Sequence, residues 1–167
     1  MDKNNIHGFG FTLIELLIVI VITMVLSGLM LASYNSYTES KKLDSEASKL
    51  IDILTVARNK ASAGDTLGYN DCGGGAFAGY KVTINPASYT FSLICLTRHD
   101  IQTVELQKGI SASVTAGSSP FTFNPLTVGL TTKTTIKLKD DKMPTNNCIL
   151  INISVPGIID QGSNFSC

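Results

Sequence analysis

The chain has 167 residues, 44% of them hydrophobic, and its 13 basic side chains are balanced by 13 acidic ones. A net charge of zero excludes a general electrostatic attraction to nucleic acid or to an acidic membrane surface. Four cysteines, no two spaced as Cys-x-x-Cys, argue against a zinc ribbon or a thioredoxin-like site.

Residues 1–10 form a short polar leader containing Asp2, Lys3, Asn4, Asn5 and His7. An apolar run follows, from Phe11 to Ala32. As a helix it would be about 33 Å long, the thickness of a bilayer core. Its one charge, Glu15, costs roughly 2.5–3.5 kcal/mol at a membrane centre, so it needs a partner. Thr12, Thr23 and Ser27 are cheap there because their hydroxyls can bond back to helix carbonyls. The order differs from that of a secretory signal peptide. The small residue, Gly10, precedes the apolar run, so cleavage after it keeps the run as the new N-terminus. Lys3 is the leader's one cytoplasmic-facing signal.

From Tyr34 to Ala63 the pattern becomes amphipathic. Leu43, Ala47, Leu50, Ile51, Leu54, Ala57 and Ala61 recur at helical spacing, with Lys41, Lys42, Glu46, Lys49, Asp52 and Arg58 elsewhere. No proline interrupts Phe11 to Ala63, which predicts one helix of about 53 residues and about 80 Å. Gly64 fits a left-handed cap. A loop over 65–78, rich in glycine and pinned by Cys72, precedes a β region. Gly73-Gly74-Gly75 is no phosphate loop, since no Lys-Ser or Lys-Thr follows it. Strands are predicted over Tyr80–Ile84, Tyr89–Leu96, Ile101–Leu106, Ile110–Thr115, Phe121–Phe123, Thr131–Lys139 and Cys148–Val155, with a Pro156-Gly157 turn into Ile158-Ile159. The expected class is α+β: a long N-terminal helix packed on an antiparallel sheet. It divides into a leader (1–10), a transmembrane or filament-core segment (11–33), an amphipathic half-helix (34–63) and a β-rich domain (64–167).

The stretch Gly10-Phe11-Thr12-Leu13-Ile14-Glu15-Leu16, placed just before the apolar run, resembles the class III signal of type IV pilins and pseudopilins. The resemblance implies cleavage of the Gly10–Phe11 bond by a prepilin peptidase and N-methylation of Phe11. It also implies pairing of Glu15 with the terminal amine of a neighbouring subunit. Expected partners are other pilin subunits, the peptidase, an inner-membrane assembly platform and, before assembly, membrane lipid. The expected location is a single-pass inner-membrane precursor with a cytoplasmic N-terminus, then a surface or periplasmic filament. The helix end Val56-Ala57-Arg58-Asn59-Lys60-Ala61, followed by a hairpin starting Gly79-Tyr80-Lys81-Val82, looks more loosely like H-class pseudopilins and minor pilins. Many major pilins carry proline where Ala32 stands, so a minor subunit fits better. The expected function is structural, as a major or minor subunit of a pilus-like filament. The alternatives are an H-class type II secretion pseudopilin and a DNA-uptake minor pilin.

Four cysteines in an exported domain suggest two disulfides, and sequence alone allows three connectivities, or four thiols under a reducing surface chemistry. Pairing chain neighbours gives Cys72–Cys95 and Cys148–Cys167; the second resembles the C-terminal disulfide loop of many pilins. No enzyme, metal or cofactor is expected. His99 reads as a solvated loop histidine rather than half of a Cys95–His99 nucleophile pair. Asp140-Asp141 reads as a polar turn, with calcium binding the lesser alternative. Alternation in Thr131–Lys139 places Lys133, Lys137 and Lys139 on one face. That face suits either DNA phosphates or protection of a sheet edge. Asn152 and Asn164 head weak glycosylation patterns. If the signal assignment holds, Gly10→Leu blocks cleavage: an immunoblot should show only the precursor, and a mature band of normal size would contradict it.

Overall fold

The computed structural model describes residues 12–125 and 129–167, without the side chains of 29–33. Two compact units divide the chain, Met1–Tyr37 and Thr38–Cys167. Helix α1 runs Leu13–Ala63. In the first unit, the helix's described large apolar side chains are exposed, among them Leu13, Ile14, Leu16 to Val21 and Met24 to Leu26. Thr23 and Ser27 satisfy their hydroxyls on the helix itself, Thr23 on the Val19 carbonyl at 2.9 Å and Ser27 on the Thr23 carbonyl at 2.7 Å.

In the second unit, the face read from the sequence is buried. Leu43, Ala47, Leu50, Leu54, Ala57 and Ala61 are inaccessible or nearly so, while Ile51 lies only at its margin. Burying each leucine contributes about 1.5–3 kcal/mol. The helix ends in a Schellman motif. Gly64 takes φ +64°, its N–H donates to the Ala61 carbonyl, and the Asp65 N–H donates to the Lys60 carbonyl. A Lys60–Asp65 ion pair closes the same turn. A short 3-10 helix, Asn70–Cys72, lies inside the glycine-rich loop.

Eight strands follow: β1 Gly79–Ile84, β2 Ser88–Ile94, β3 Arg98–Glu105, β4 Ile110–Ala116, β5 Phe121–Phe123, β6 Thr134–Asp140, β7 Cys148–Ile153 and β8 Ile159–Gln161. They form two four-stranded antiparallel sheets, ordered β3-β2-β1-β5 and β4-β6-β7-β8, where the sequence suggested one. The chain crosses between the sheets more than once: β4 pairs with β6, whereas β5 returns to pair with β1. Tyr80, Phe91, Leu93 and Phe123 from the first sheet join Ile136, Leu138, Ile149, Ile151 and Ile153 from the second, and the helix face, in one core.

Two expectations need correction. Strand β6 begins at Thr134, so Thr131, Thr132 and Lys133 precede it. It also lies between β4 and β7, so its lysines protect no edge. The residue that can hold Gly79 is limited by backbone: φ is +116°, and a Cβ would meet the Phe123 carbonyl oxygen where β1 pairs β5. Gly64, also at positive φ, has open space around it. Gly64→Ala should therefore cost about 1–2 kcal/mol, and Gly79→Ala at least ~1 kcal/mol more. Urea-unfolding midpoints of the two variants check the order.

Candidate functional site

The helix starts at a polar cap. The backbone N–H of Glu15 donates to Thr12 Oγ1 at 3.3 Å, and the Thr12 hydroxyl faces Glu15 Oε2 at 3.4 Å. Thr12-x-x-Glu15 is a helix-start signature. It gives Glu15 a local role that its reading as an intermolecular carboxylate missed. Glu15 remains exposed, among exposed apolar neighbours, with its acceptor oxygens available to a cation. Gly10 and Phe11, the expected cleavage and methylation positions, lie outside the described residues. Among the described residues, no helix is long and apolar enough to cross a membrane. The described part of the apolar run ends at Gly28, short of the sequence's full stretch.

The β domain carries two covalent clamps. Cys72–Cys95 ties the glycine-rich loop to the β2–β3 turn, and Cys148–Cys167 ties the chain's last residue to the start of β7. Phe165 adds a two-bond backbone bridge to Cys148, each bond 3.0 Å. Beside the first clamp, His99 is not a solvated loop residue. It lies in β3, stacks on Tyr69 with ring centroids 4.0 Å apart, and places Nε2 2.9 Å from Asp71 Oδ2. The Thr97 hydroxyl donates to the same Asp71 oxygen at 2.6 Å. Hydrogen bonds from Thr97, then His99, hold the Asp71 carboxyl down at about 2. The Cys95 sulfur is bonded to Cys72, so it forms no nucleophile pair with His99.

A cleft of about 250 Å³ opens between helix and first sheet, lined by Lys49, Asp52, Ile53, Tyr89, Gln102 and Val104. Tyr89 is almost wholly buried, yet its hydroxyl has no hydrogen-bond partner among the described residues. Burial, then the nearby Glu46 and Asp52 carboxylates, push that hydroxyl up to about 12, so it stays protonated. Glu46 is equally buried. Its Oε1 accepts from Lys49 at 2.7 Å and from Gln107 at 2.8 Å, while Oε2 has no partner. The sequence placed Glu46 on the polar side of the helix. Only the fold shows that β-domain residues close over it.

Residues 7–31 match the family described as the prokaryotic N-terminal methylation motif. Over 52 residues the chain is 46% identical to type II secretion system protein H of Pseudomonas aeruginosa, a stretch that makes up 31% of this chain and 30% of that relative. The fold superposes on the minor pseudopilin EpsH from the type 2 secretion system of Vibrio cholerae, with TM-score 0.54 and 12% identity. That superposition covers 73% of this chain and 97% of the other. The chain thus carries a prokaryotic N-terminal methylation motif, and its fold is similar to that of a minor pseudopilin.

The three lysines do not form one grip. Lys137 and Lys139 share a face of β6, but Lys133 stands before the strand, and Lys139 is held by Asp141 at 2.7 Å. Asp140 is no solvated turn residue: it is fully buried, and its Oδ1 accepts from the Lys142 N–H at 2.8 Å. Asn152 and Asn164 are half-buried and bonded, to Thr135 and Asp44. The Asp71 carboxylate predicts a pH signature. Its folded value of about 2 lies below its ordinary 3.8, so its stabilisation is complete above about 4 and is lost as pH falls towards 2. Asp71→Asn should thus lower the melting temperature at pH 7, with the gap to wild type closing between pH 4 and 2. Thermal unfolding followed across pH would show it.

Proposed function

We propose that this chain is a structural subunit of a pseudopilus, of the H class found in type II secretion. In this reading it is made as an inner-membrane precursor with its N-terminus in the cytoplasm. A prepilin peptidase cuts Gly10–Phe11 and methylates Phe11. Segment 11–33 first sits in lipid, then leaves it for a helical filament, while the β domain faces outward. One observation carries the reading: a methylation motif over residues 7–31 opens directly into a helix whose large apolar side chains are exposed. Exposed leucine, isoleucine and valine over four turns of helix have to be covered, by lipid or by other helices.

Within that cover, a bare carboxylate is tolerated only beside a positive charge. The methylated amine of an adjacent subunit would meet Glu15 there. The stretch 46% identical to a type II secretion system protein H favours a secretion pseudopilus over a surface pilus.

Glu15→Ala should be cut and methylated normally but fail to assemble, with the sheared-filament yield falling about tenfold or more, as for loss of a buried ion-pair partner. Wild-type yield from that variant would sink the pairing role. Deleting the chain should stop export of a secreted enzyme and leave surface fibres intact; loss of fibres with normal secretion would instead favour a pilus.

A further inference from the structure

Strand β3 is the outer strand of its sheet, bonded to β2 alone among the described residues. Exposed edges are ordinarily protected by charge. In β3 the charges lie at the ends, Arg98 and Asp100 at one and Glu105 at the other, and Ile101 to Val104 carry none. The pairing shifts register at Ile101, so the regular stretch is Gln102–Glu105. That stretch borders the cleft, because Gln102 and Val104 form its sheet wall and face Lys49, Asp52 and Ile53 on the helix.

The cleft is chemically incomplete. Among the described residues, the Tyr89 hydroxyl and the nearby Glu46 Oε2 are buried with no hydrogen-bond partner, and a buried polar group left so is destabilising. Around it stand two carboxylates, Glu46 and Asp52, and one ammonium, Lys49, already committed to Glu46. The surplus is one negative charge, Glu46 Oε2 lacks a donor, and the Tyr89 hydroxyl oxygen can also accept one. A volume of about 250 Å³ falls below the ~300–1,000 Å³ of ordinary small-molecule pockets, and it suits one long side chain. Ile53 and Val104 offer apolar walls to its stem.

We infer that β3 and this cleft dock an extended segment of a partner protein, which adds as a strand along Gln102–Glu105 and inserts an arginine into the cleft. A guanidinium fits because it brings five donors and no acceptor in a flat fork. Strand addition supplies affinity through backbone bonds, and the arginine supplies selectivity. The surface is separate from the residues that carry filament assembly, so its test and that of the filament role fail independently.

The test titrates the full chain in detergent micelles with a blocked heptapeptide, Thr-Val-Thr-Arg-Thr-Val-Thr, and follows backbone amide NMR shifts. Shifts should concentrate at Gln102 to Glu105 and at Asp52 and Ile53. Replacing the peptide's arginine by neutral, isosteric citrulline should weaken binding about tenfold, the worth of a charged hydrogen bond. N-methylating alternate peptide amides on the pairing edge should abolish it. Tyr89→Phe should weaken it about threefold or more; if that variant does not fold, Asp52→Asn, at an exposed position, replaces it. Equal affinity for the citrulline peptide, shifts away from β3, or none at millimolar peptide would overturn the inference.

Discussion

A helix that is apolar along one face has to hide that face, and the unit Thr38–Cys167 is arranged around that requirement. Leu43, Ala47, Leu50, Leu54, Ala57 and Ala61 form one buried stripe. Both sheets contribute side chains to the core that covers it. Each sheet alone, four short strands with one apolar face, would leave that face wet. The helix completes the core for both sheets, and its Schellman end at Gly64 turns the chain towards them. The Tyr80 hydroxyl, which donates to the Asp65 carbonyl at 2.6 Å, links that turn to β1.

The same requirement has the opposite outcome at the other end of the helix. Leu13 to Leu26 includes the same residue types, and its large apolar side chains are exposed. A helix apolar on every side suits lipid or a bundle of like helices, whereas one apolar on a single stripe suits a domain. One continuous helix therefore carries two different solvent preferences, and Glu15 sits in the part that has no internal cover.

Where the helix meets the first sheet, polarity is held inside the fold. Lys49 and Gln107 both donate to one oxygen of the buried Glu46 carboxylate. The other oxygen and the Tyr89 hydroxyl stay unpaired beside a cleft, which is unusual among buried polar groups. Partly exposed carboxylates of the domain are bonded by near neighbours. Asp71 is served by Thr97 and His99, Asp100 by Ser92 and Arg98, and both loop ends are closed by disulfides.

Much was legible in the residues because it is local. The methylation segment is a contiguous string, the helix face is a spacing of three and four, and the Gly64 stop needs only its own φ. Most strands fell within a few residues of their observed ends because alternation and Pro-Gly breaks are short-range signals. Pairing the cysteines by chain proximity also matched the bonds the fold makes. What sequence could not reach depends on residues far apart in the chain. Whether eight strands make one sheet or two is set by β4 crossing to β6, and whether Lys139 is free is set by Asp141 once β6 ends. His99 is taken from a solvated turn into a stacked, bonded site by Tyr69 and Asp71, roughly thirty residues earlier. Glu46 reads as a surface charge until the β domain closes over it. By itself the sequence determined where the methylation motif lies and which helix face is apolar, since both are written in adjacent or regularly spaced side chains. Tertiary structure alone decided which polar groups are buried, paired or left open, because burial is a property of what packs against a residue.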